Sequence, residues 1–433
     1  MESEGSSKDY FRKSMAELIA ILPQEAGNTK NWEKLLEPLA NATDFNVVDI
    51  RHNDIIDCPT LYIEYKKEVY PIDVDWYEYH FVEDTMVQQF STENIATLQQ
   101  ATNGIKFSML YTTDAQTSVH LLLKIICLLV PKQIGIFNCN SYSLLSPVWA
   151  KCAAATTTPP SPNCLYTIHA VYEDKNKWLP FSKSSYWLHT HGLNCCGIPE
   201  LELIGEISKK NYDFYTNLLS HLVNYVISEG SLPPAKENLH FGWLDNHQPI
   251  MITWVSWEEG LKSYKKNILG GAEDRDEAHN QNTSIIFIYH SEKAYEKQKY
   301  SLITSIKESA MENPLLFFTD KETERLNAMA HEQLSSLIEG LQKEGSSALV
   351  KISLTVDEEF KEEGNSNLEH IWFKVEKVTE DSITGVLIQE PYYIKNMHEG
   401  SVGTYPTRLI TDWKLYTDGQ VVSPDDVYLL KLP

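Results

Sequence analysis

The sequence predicts an α+β protein, with helix and strand mixed through its N-terminal and central parts and a small β-rich, barrel-like unit at its C-terminal end. Three observations lead there. Short apolar or alternating runs rich in Val, Ile, Tyr and Phe recur from residue 45 to residue 432. Stretches of helical period fall between them without a regular strand–helix alternation. After Gly345-Ser346-Ser347 the helical stretches stop, and strand and turn signals alternate to the end. A chain of 433 residues exceeds what one core usually serves. The expected division is an N-terminal α+β region over 1–104, a central α+β domain over 105–344 and the β-rich unit over 345–433.

Residues 9–22 carry the helical period, with Phe11, Met15, Leu18, Ile19 and Leu22 on one side, and predict a helix. Residues 45–50, 60–65 and 68–74 read as strands, the last two joined through a Lys66-Lys67 turn. A strand over 105–111, an apolar helix ending at Val130 and a strand over 133–138 make a strand–helix–strand unit. The apolar run 119–130 contains Lys124 and stops at Pro131, short of the roughly 20 residues that span a bilayer, so a buried helix is expected. A helix over 145–155 leads into the Thr- and Pro-rich loop 156–163, then a strand over 164–172. Residues 211–228 are amphipathic, with Phe214, Leu218, Leu222, Tyr225 and Val226 as the apolar stripe. Strands follow over 249–257 and 284–290, separated by the polar loop 270–282. A long helix is expected from about 320 to 343, with Leu326, Met329, Ala330, Leu334, Leu337, Ile338 and Leu341 on its apolar face. Beyond it, strands are expected over 348–354, 371–378, 382–388, 409–416 and 427–432.

The formal charge is −23, and residues 345–433 alone hold 8 basic and 15 acidic side chains. Phosphate recognition needs clustered Lys and Arg, so nucleic acid is excluded as a partner and an anionic membrane surface is disfavoured. Such a charge suits a basic protein partner, or serves solubility alone. The start is polar, with no apolar signal-like stretch. The seven cysteines show no CxxC pairing, as expected of reduced thiols in a cytosolic protein.

The chemistry concentrates in residues 187–203. On an extended strand His189 and His191 share a face, as do Glu200 and Glu202. Folded back as an antiparallel pair, one register sets His189 opposite Glu202 and His191 opposite Glu200. Two imidazoles with carboxylates are a normal donor set for Zn2+, Mn2+ or Fe2+, and His169 on the preceding strand offers a third nitrogen. The competing reading pairs each His with a Glu across a sheet. A thiol nucleophile at Cys195 or Cys196, with His189 or His191 as base, is disfavoured because the nearby carboxylates raise a thiol's pKa. Glu369-His370 and Asp412-Trp413 form a further pair, read chiefly as packing. Trp243, Trp254 and Trp257 are candidates for an aromatic interface, although alternation turns Trp254 away from Trp257. No phosphate-cradling glycine loop and no GxSxG turn is present.

Residues 369–375, 383–388, Glu390-Pro391, Glu399-Gly400 and 410–413 resemble the small bacterial YegJ-like domain of unknown function, over about 346–433. Residues 187–193, 197–202, 254–259 and 314–318 resemble a second uncharacterised bacterial family, over roughly 105–340. The resemblance implies a bacterial cytosolic protein and supplies no activity and no catalytic residue. The leading expectation is therefore a multidomain binding protein without cofactor, neutralising or accessory to a basic protein partner. The alternative is a metal-dependent hydrolase using His189, His191, Glu200 and Glu202, with a divalent metal such as Zn2+ or Mn2+. The sequence leaves the oligomeric state open.

Overall fold

The computed structural model describes residues 13–24, 30–53, 58–83, 85–87, 90–174, 184–245, 247–276, 279, 282–363 and 366–432. They gather into two compact units, one of residues 1–150 and 162–319, the other of 151–161 and 320–433. Helix and strand are mixed in both, an α+β fold as expected.

The first unit holds two sheets. Strands β1 (Ala16–Ile21), β2 (Asn46–Asn53), β3 (Cys58–Tyr65), β4 (Glu68–Glu78), β5 (Met86–Val87), β6 (Asn103–Met109), β7 (Gly135–Asn138) and β8 (Ser143–Leu145) form one, in the order β2-β3-β4-β6-β1-β7-β8-β5. β1 runs antiparallel to both β6 and β7, which the helix Ala115–Leu129 connects. This is a split β-α-β unit, with the strand–helix–strand segment read from the sequence opened to admit β1.

β1 lies where a helix was expected over 9–22. All its residues except Glu17 are buried. A strand covered on both faces is apolar at successive positions, and such a run imitates a helical stripe. Residues 9–12 of that stretch lie outside the described residues. The Lys66-Lys67 turn forms as expected, with φ of 48° and 72°. Two left-handed residues give the mirror-image turn whose twist matches the flanking strands. The sheet also crosses the expected 104/105 division, because β6 spans it and pairs with β4 and β1. The apolar run 119–130 is a core helix, capped by the Asp114 carboxylate on Thr117 N at 3.0 Å, and its buried Lys124 pairs with Asp44 at 2.9 Å. Among the described residues no helix is long and apolar enough to cross a membrane.

The second sheet carries the site. It contains β9 (Thr167–Asp174), β10 (Ser184–His191), β11 (Glu200–Ile207), β12 (Leu239–Trp243), β13 (Pro249–Ser256), β14 (Thr283–Tyr289), β15 (Ser301–Leu302) and β16 (Leu315–Leu316). The order is β16-β12-β13-β14-β11-β10-β9, with β15 paired to β14. β11 and β14 are parallel. β14 is buried along its whole length, and its apolar run 285–289 is what burial on both faces requires. β13 stops at Ser256, whose hydroxyl accepts Glu259 N and starts the short helix Trp257–Gly260. The helix Tyr212–Glu229 packs against β11.

In the second unit the expected long helix is two, Asp320–Glu332 and Leu334–Gly340, interrupted at Gln333. Strands β17 (Ser347–Thr355), β18 (Leu368–Val378), β19 (Ser382–Leu387), β20 (Val402–Pro406), β21 (Ile410–Thr417) and β22 (Gln420–Val422) form an antiparallel sheet in the order β20-β19-β18-β17-β21-β22. The sheet is open, which corrects the barrel-like expectation. Its apolar face has another cover: Ala330 and Leu337 of the helices join Val350, Ile371, Phe373 and Trp413 in one core. These helices belong with the sheet, and the C-terminal segment of the unit runs from Asp320 to the end, with 151–161 as its other segment. Residues 427–432 do not make the expected strand. Pro424–Lys431 is a 3-10 helix that buries Val427 and Tyr428.

Candidate metal centre

β10 lies between β9 and β11, and the ladder pairs His189 with His169 on one side and Glu202 on the other. Residues directly opposite share a face, and His191 follows two positions later on that face. One nitrogen each from His169, His189 and His191 falls within 4.8 Å of the others. The ring centroids of His169 and His191 are 4.6 Å apart, and those of His189 and His191 5.0 Å. His189 is buried, while His169 and His191 are half-buried and within reach of solvent. A fourth imidazole approaches His189: His279 Nε2 is 3.2 Å from His189 Nε2, and its Nδ1 is 2.7 Å from Asp276 Oδ1.

Burial, followed by the neighbouring imidazoles, holds His189 down at about 2 and His191 down at about 3. Both rings are neutral at pH 7, the state in which imidazole ligates a metal. His189 Nδ1 is buried with no hydrogen-bond partner among the described residues. Such an orphaned atom costs free energy, and an ordered water beside it relieves that cost.

The two glutamates are turned to other tasks. Glu200 accepts Thr190 Oγ1 at 2.7 Å, Gly192 N at 2.9 Å and Asn194 N at 3.2 Å. It holds the 3-10 turn Leu193–Cys196 that links β10 to β11, which Gly192 (φ 113°) and Gly197 (φ 77°) bracket in left-handed conformations. Burial pushes its carboxyl up to about 7, against the pull of these donors. Glu202 is paired with Arg275, whose Nη1 donates to Oε1 at 2.9 Å and whose Nη2 donates to Oε2. Trp187 Nε1 donates to the same carboxylate at 3.3 Å. The expected set of His189, His191, Glu200 and Glu202 is thus not the set brought together. Among the described residues the two histidines group with His169, while the carboxylates are engaged by the turn and by Arg275.

Residues 16–160 match the family model described as the N-terminal part of a protein of unknown function, DUF4026, and residues 168–287 match its C-terminal part. Residues 326–427 match an uncharacterised protein family conserved in bacteria, DUF2314. The chain is built from domains of unknown function. The third match carries that description in place of the YegJ-like label. No match was found among curated proteins or solved structures. All four histidines fall inside the region that matches the C-terminal DUF4026 model.

The remaining candidates are structural. Cys195 and Cys196 are buried, which pushes the first thiol up to about 12 and the second well above its usual value. Trp254 is buried and donates Nε1 to Pro233 O at 2.7 Å, and Trp257 packs against the Trp187–Phe287 cluster. Of the three tryptophans only Trp243 is exposed, so they form no common surface. Glu369 accepts Tyr392 N and Tyr393 N at 2.7 and 2.9 Å, His370 contacts the Thr411 hydroxyl at 3.1 Å, and Asp412 accepts Trp413 N at 2.8 Å. Trp413 is wholly buried and donates Nε1 to Ala330 O at 3.1 Å. Sequence reasoning missed His279 and Arg275. The signal for them was a histidine three residues after an acid, with an arginine beside it, in an otherwise polar loop.

Proposed function

We propose that this chain binds one divalent transition-metal ion through His169, His189 and His191. The observation that carries the reading is the convergence of three imidazoles from two neighbouring strands within 4.8 Å. Ligands on one tetrahedral Zn2+ have nitrogens about 3.3 Å apart, given Zn–N bonds of about 2.0–2.1 Å. Small side-chain rotations therefore close the set. Nitrogen-only donors favour Zn2+, Cu2+ or Ni2+ over Mn2+ or Mg2+, which prefer oxygen. Mn2+ would need the carboxylates that Arg275 and the turn hold.

Of the two sequence readings this is the metal-dependent one, stripped of its carboxylates. The partner-binding reading rests on the net charge, the modular C-terminal unit and the lack of a complete catalytic set, none of which names a residue that would touch a partner. Three ligands leave a fourth position, and a water there would ionise near neutral pH. Glu200 is engaged by the turn and Glu202 by Arg275, which supports metal binding ahead of hydrolysis.

The test is elemental analysis of full-length protein purified without an affinity tag, then reconstituted with Zn2+. Close to one equivalent is expected. The His189→Ala/His191→Ala double variant should lose it while keeping the parent's circular dichroism. Less than about a tenth of an equivalent in the reconstituted parent overturns the reading.

A further inference from the structure

Resting on that three-histidine reading, we infer that His279 is the fourth ligand and that Asp276 orients it, so that the centre is a closed, four-nitrogen site. Three observations carry this. The 3.2 Å between His279 Nε2 and His189 Nε2 is the separation of two nitrogens on one tetrahedral ion, about 3.3 Å. His279 Nδ1 lies 2.7 Å from Asp276 Oδ1, so its N–H points to the carboxylate and the Nε2 lone pair faces the cluster. A ligating histidine is commonly held this way, by a carboxylate on its other nitrogen. The third observation concerns the backbone. Arg275 Nη1 donates to the carbonyl of His279 at 3.0 Å and to Glu202 at 2.9 Å, and Arg275 Nε donates to Gly270 O at 3.1 Å. Glu202 is the ladder partner of His189. The carboxylate that the sequence offered as a ligand therefore anchors, through Arg275, the residue that takes that place.

With four nitrogens the ion has no place for a water. The centre then holds its metal and does not activate a nucleophile, as a structural or metal-responsive site does.

Co2+ bound to the full-length chain reports coordination through its visible absorption, and competition with a chromophoric chelator reports affinity. The parent should show the strong bands of a four-coordinate ion. His279→Ala should weaken binding and change the spectrum, and added free imidazole should restore it. The same imidazole should leave His189→Ala/His191→Ala unrescued. Asp276→Asn should keep the four-coordinate spectrum and weaken affinity by about 10- to 100-fold. If His279→Ala binds Co2+ with the parent's affinity and spectrum, the fourth-ligand assignment is overturned and the three-histidine site stands. If the parent binds no metal at all, the three-histidine reading itself falls.

Discussion

Arg275 and Glu202 are each about as deeply buried as a side chain can be, at 0% and 1% exposure. Removing one member of a buried ion pair strands the other, at a cost of about 3–5 kcal/mol, whereas removing both costs far less. Arg275→Met should therefore lower unfolding stability by about that amount in urea. Adding Glu202→Gln should recover much of the loss, since the amide oxygen still accepts from Trp187. A single variant within about 1 kcal/mol of the parent would show that the pair does not hold the loop. At this scale the sequence was half legible. Alternation put His189 and His191 on one face and set Glu202 opposite His189, and the ladder has that register. Alternation says which face a side chain takes, not what covers the face. The partners of Glu202 and His189 come from a loop more than seventy residues further on, and no local periodicity encodes that meeting.

At the scale of elements, the link between β10 and β11 rests on Gly192. Its φ of 113° is one that other residues rarely adopt, and a Cβ there would meet Leu165 O at 2.3 Å. The obstacle is backbone and has no rotamer to yield. Gly192→Ala should cost at least about 2 kcal/mol in chemical denaturation and weaken metal binding by spoiling the approach of His191 to His169. A variant as stable as the parent would mean the turn relaxes without loss. Most strands and helices were readable from the sequence because periodicity reports a half-buried element well. The errors fell where that signal is ambiguous. β1 is buried on both faces and so lost its alternation, and 427–432 is an apolar run too short to separate strand from helical turn.

At the scale of the whole molecule, each unit has its own sheet or sheets and its own buried core. Scanning calorimetry of the full chain should resolve two transitions. Because the histidines all lie in the first unit, excess Zn2+ should raise one transition and leave the other in place. Mass action gives about 2.7 kcal/mol at a hundredfold excess over Kd. A scan in which Zn2+ moves both transitions equally, or neither, would contradict this assignment. The expected division at 344/345 followed a Gly-Ser signal and a change of composition. The unit boundary lies at 319/320 because the helices Asp320–Glu332 and Leu334–Gly340 are needed to cover the sheet.

The strip Lys151–Ser161 bears on the order in which the protein comes into being. Within the second unit, Thr157 N and Thr158 N donate to the Glu332 carboxylate at 2.6 and 3.1 Å, and Arg325 donates to Pro159 O at 3.3 Å. A ribosome delivers this strip long before Glu332 and Arg325 exist. All of 162–319 emerges in the interval, and the strip cannot make these bonds until Glu332 and Arg325 follow. The second unit cannot close before its later segment is made, and it then includes a piece of chain made earlier. A gene fragment beginning at residue 320 omits that piece and leaves Glu332 without the two amides it holds in the intact chain.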